Sequence, residues 1–133
     1  MIVSSIIIPK VMNKKDGLIK FKMVGSKELP KQIEEMLPKY IMEERALTCK
    51  YDDEIYVIVT RGEKKSKGYS VEIDKIVQER AGKDKFDIIV FAKFEDPNPN
   101  QVLSQEYDYP YTIVKTKLKS MPEKVHLNID YIE

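Results

Sequence analysis

Soft metal ligands are almost missing from this sequence, whose 133 residues include one histidine, His126, and one cysteine, Cys49. A lone cysteine excludes an internal disulfide, and the two residues together are too few for a zinc site. Glycine is also scarce, and the five glycines are scattered rather than gathered into a phosphate-cradling loop. Charge of one sign is lacking as well: 23 lysines and arginines stand against 22 acidic residues, so no global field draws the chain toward nucleic acid or acidic lipid. No apolar run approaches the roughly 20 residues that span a bilayer. The start, Met1 to Pro9, has neither the basic region nor the small-residue cleavage site of a signal peptide, which reads as a cytoplasmic protein.

The remaining reactive groups do not assemble into chemistry. Cys49 has no obvious base to activate it and reads as a small buried hydrophobe. Asp52, Asp53 and Glu54 are adjacent acids, which in a turn or strand cannot all converge on one cation. His126 sits in a strand whose inward residues are Val125, Leu127, Ile129 and Tyr131, so it is expected to face solvent. Neither enzymatic activity nor a cofactor is expected.

What the sequence does contain is alternation. Stretches 54 to 61, 69 to 79, 86 to 94, 111 to 118 and 125 to 132 all read as strands of an antiparallel region covering 54 to 133. Val71 and Ile73 are in phase but Ile76 is not, which predicts a β-bulge near Asp74-Lys75. Upstream, Ile2 to Ile8 and Leu18 to Val24 read as the two strands of a hairpin within residues 1 to 25, and its lysines protect an exposed edge. Between 26 and 46 the period changes. Ile33, Met36, Leu37, Tyr40 and Ile41 recur at helical spacing, with Pro38 expected to kink or split the helix. The fold class is therefore α+β, mainly β: an antiparallel sheet or sandwich of six to seven strands with one amphipathic helix, in a single domain of 133 residues.

Turn parity places two connections together. If consecutive strands run antiparallel, residues 62 to 68 and 95 to 109 lie at the same end of the sheet. The first carries Arg61, Lys64, Lys65 and Lys67 against Glu63, the second Glu95, Asp96, Glu106 and Asp108, so the rim is dipolar, +3 against −4. The second connection is longer than a turn requires, and Tyr107, Tyr109 and Tyr111 put three amphipathic rings within five residues, a composition enriched at protein interfaces.

Two motifs on these connections carry a resemblance. Gly62-Glu63-Lys64 with Gly68-Tyr69-Ser70, and Ser104-Gln105 with Tyr109-Pro110-Tyr111, resemble the C-terminal domain of the protease complex subunit PrcB family over roughly Arg61 to Leu118. Lys65 and Lys67 depart from that pattern, standing where the family tends to have proline and a first glycine. The resemblance implies a noncatalytic, protease-associated binding module from a family with many small bacterial members. Ser66, Lys67, Gly68, Tyr69, Gln105, Tyr107, Tyr109, Pro110 and Tyr111 are then the candidate partner-binding residues. The expected partner is a protein, with a protease as one such partner, and neither nucleic acid nor membrane is expected. Two other readings stand beside it: a small-molecule pocket between sheet and helix, and a homo-oligomer formed through the basic hairpin or the second sheet face.

Overall fold

A computed structural model describes residues 17–132 and, for the backbone, residues 2–7. Alternating residues from 54 onward produce five strands close to where the pattern predicts them: β4 (Glu54–Arg61), β5 (Ser70–Gly82), β6 (Lys85–Glu95), β7 (Tyr111–Thr116) and β8 (Val125–Ile132). Ahead of them come β1 (Ile2–Ile7), β2 (Phe21–Met23), the helix α1 (Lys31–Met36) and β3 (Glu44–Tyr51). The protein is thus mainly β with one short helical segment.

That segment is shorter than the 26 to 46 expected. Pro30 starts it, and Pro38 converts the helix after Met36 into a single 3₁₀ turn over Leu37–Lys39. The chain then turns, and Glu44 to Ala46, counted into the helix on periodicity, belong to β3. β3 shows no period-two pattern, because Ala46, Leu47, Thr48 and Cys49 are buried in succession. Asp52 and Asp53 join it to β4 as a two-residue turn in which both have positive φ, 50° and 62°, the conformation that a tight hairpin twist demands.

All eight strands form one sheet in the order β2-β7-β4-β3-β1-β8-β6-β5. The expected hairpin between Ile2–Ile8 and Leu18–Val24 does not form: β1 lies antiparallel to β3 and parallel to β8, whereas β2 pairs with β7. A run as apolar as Ile2 to Ile7 suits a strand with neighbours on both sides better than an edge hairpin. Residues 8–16 of the expected hairpin lie outside the described residues. Nor is the region from 54 onward wholly antiparallel. The connection after β7 stays at the end of the sheet where β7 finishes, so β8 starts beside the beginning of β6 and runs parallel to it, with Ile88 opposite Val125.

The two ends of the sheet approach each other. Ahead of β2, the Ile19 amide donates to the Ile76 carbonyl at 2.9 Å, and the Gln78 amide donates to the Gly17 carbonyl at 2.7 Å. The sheet is thereby curled around one core of Ala46, Ile55, Val57, Val59, Ile76, Ile88, Val90, Phe94, Val125 and Leu127. Its register shift between Ile73 and Lys75 is the bulge read from the phase change. A second cluster on the outer face joins Ile33 and Leu37 of the helical segment to Leu47, Cys49, Tyr56, Ile58 and Ile113. Burial raises the Cys49 thiol pKa, and its sulfur lies 3.9 Å from the Met36 sulfur, as suits a packed hydrophobe. Among the described residues no helix is long and apolar enough to cross a membrane.

Candidate functional site: a rim built by two loops

The loops 62–69 and 96–110 sit at the same end of the sheet and are stitched together, as turn parity implies. Lys64 and Asp108 exchange both backbone hydrogen bonds, at 2.8 and 2.9 Å, while Lys67 donates to the Ser104 carbonyl at 3.2 Å. The Arg61 amide donates to the Pro110 carbonyl at 2.9 Å. Side chains add to the seam: Lys67 lies 3.6 Å from Glu106, and the Tyr109 hydroxyl donates to Glu63 at 3.1 Å. That hydrogen bond is the main reason the Tyr109 hydroxyl titrates above its ordinary range.

Beneath the seam lies a residue whose role the sequence hides. Arg61 was counted among the exposed loop charges, yet it is only 3% exposed. Its guanidinium donates to the Glu95 carbonyl at 2.6 Å and the Ser70 carbonyl at 3.1 Å, and it pairs with Asp96. Tyr69 covers it on one side, the ring centroid 5.0 Å from the guanidinium carbon, and Phe94 on another at 5.2 Å. One cation thus ties the start of β5, the end of β6 and the second loop together. A buried charge is tolerated only with such partners. The rim is accordingly less dipolar than a count of charges suggests, because Arg61 and Asp96 neutralise each other and Lys67 faces Glu106. Alternating inside-outside strand residues would have pointed Arg61 inward, which is the one signal that was available.

The nine candidate partner-binding residues divide into two groups. Ser66 is buried at 8% exposure, and Tyr69, Tyr109 and Pro110 are half-buried, spent on Arg61, Glu63 and the backbone seam. Gly68 has φ of +110°, and a Cβ built there meets Pro97 at 3.0 Å and Leu103 at 3.1 Å, so it is the close crossing of the two loops. Lys67 and Gln105 are exposed, Tyr107 is 63% exposed, and Tyr111, the first residue of β7, is 43% exposed. The exposed set is therefore Tyr107, Tyr111, Lys67 and Gln105.

Two residues outside the rim differ from expectation. His126 is not free in solvent: its Nε2 lies 3.0 Å from Asp87 Oδ2, across the β6–β8 pair. Tyr131, expected inward, is 58% exposed at the same end as the rim, with its ring packed edge-on against Phe94 and its hydroxyl donating to Glu44 at 2.7 Å.

A mainly β protein with a composite, two-loop rim is the class these features define. Residues 55–117 match the family described as PrcB C-terminal, a stretch that runs from β4 past β7 and contains both loops. Over that stretch the chain resembles the PrcB C-terminal domain family, in agreement with the motifs around Gly68-Tyr69 and Tyr109-Pro110-Tyr111. No curated protein and no solved structure matches the chain.

Proposed function

We propose that the protein is a noncatalytic binding module that offers its two-loop rim to a protein partner, with proteases the first class of partner to test. The observation that carries this reading is the pair of exposed rings, Tyr107 on the second loop and Tyr111 at the start of β7, on a frame fastened by the Lys64–Asp108 bridge and by buried Arg61. Large rings with few rotors on an already ordered frame lose little entropy on binding. The match of residues 55–117 to the PrcB C-terminal family supports the same assignment.

The test is affinity capture from a native lysate with the unmodified protein and with Tyr107→Ala/Tyr111→Ala, both verified by circular dichroism. A partner captured only by the unmodified protein supports the rim as the binding surface. Equal capture by both proteins overturns it. Where the partner is a protease, its activity with and without the module separates inhibition from simple association.

A further inference from the structure

Beyond the rim, the sheet assembles a feature at its opposite end that no segment of the sequence contains alone. β2 and β7 are adjacent, and Lys22 lies directly opposite Lys115. One step down the ladder, the Lys117 amide donates to the Lys20 carbonyl at 3.0 Å, which places that pair of lysines opposite each other on the same face. The result is a two-by-two grid of lysines, roughly 5 Å across the strands and about 7 Å along them by ordinary sheet spacing. Lys20, Lys22 and Lys117 are exposed, Lys115 is half-buried, and exposed Lys119 follows. Among the described residues, none of the five has a carboxylate within ion-pairing distance. Like charges placed directly opposite each other destabilise a sheet.

We infer that this lysine grid docks the protein on an anionic lipid surface. Two observations favour that occupant over other polyanions. Leu18, on the same face two residues before Lys20, is 56% exposed and supplies an apolar contact for the headgroup region. The cations are all lysines, point charges suited to headgroup attraction, and no exposed aromatic ring stands among them to stack on bases. Glu54 lines the same depression from the β4 side and limits the footprint to β2 and β7. The rim, at the other end, remains free to meet its partner.

The test is co-sedimentation with phosphatidylcholine vesicles containing about 30% phosphatidylserine, against pure phosphatidylcholine, at low and at physiological salt. Expected is partitioning at least about tenfold greater on the anionic vesicles at low salt, weakened by added salt. Lys22→Glu/Lys115→Glu and, independently, Lys117→Glu/Lys119→Glu should abolish it while circular dichroism stays native. Lys83→Glu/Lys85→Glu, the same charge change on the β5–β6 turn, should retain it. No preference for anionic vesicles, or equal loss in the control, overturns the inference. So does tighter binding to a short DNA duplex at matched salt, measured by anisotropy.

Discussion

Arg61 and Asp96, 35 positions apart in sequence, form the ion pair that joins the last residue of β4 to the loop after β6. The guanidinium is buried and the carboxylate is 43% exposed, so the pair is a cation sunk under the rim and capped from the solvent side. Replacing it by Arg61→Leu leaves the Ser70 and Glu95 carbonyls without their donor and should cost about 2–4 kcal/mol in denaturant unfolding. An unchanged midpoint would show that the rim does not depend on this cation.

Gly68 sits where the two loops cross, and its positive φ together with the contacts at Pro97 and Leu103 leaves no room for a side chain. Gly68→Ala should destabilise by about 1–3 kcal/mol. Gly82→Ala, also at positive φ but with open space around its Cβ, separates the effects. If Gly68→Ala costs no more than Gly82→Ala, the loop crossing contributes only backbone strain.

Lys22 opposite Lys115 is a repulsive pair on an exposed face. The single variant Lys22→Glu converts it into an attractive one, and thermal unfolding at low salt should show a gain of about 0.2–1 kcal/mol. The gain should shrink at high salt, since screening acts on exposed pairs.

Tyr131 predicts an alkaline limb to stability. Burial, the hydrogen bond to Glu44 and the charge of that carboxylate push its hydroxyl pKa up to about 12, whereas an unfolded tyrosine titrates near ~10. The unfolded state therefore releases this proton first. The stability it represents is fully present below pH ~10 and is lost as pH rises toward about 12. Tyr131→Phe should flatten the decline of the unfolding midpoint across that window; an identical slope would assign the loss to other groups.

Within the sequence, period-two alternation located β4 to β8 and the phase change at Asp74 located the bulge, because a strand's faces are written in its neighbouring residues. Turn parity was enough to bring the loops around Gly68 and Tyr109 to one rim, and the motifs there were enough for the family resemblance. The same local signals failed for Glu44 to Tyr51, where an amphipathic helix pattern overran the start of a buried strand.

What only the tertiary structure decided were the long-range choices. β1 entered the sheet between β3 and β8 instead of folding back on β2, and β8 ran parallel to β6. The partners that bury Arg61, the division of the tyrosines into structural and exposed ones, and the β2–β7 pairing that makes the lysine grid are long-range choices of the same kind. Period specifies which side of a strand is apolar. Which strands lie side by side depends on contacts between residues far apart in the chain, whose energies no single stretch of sequence displays.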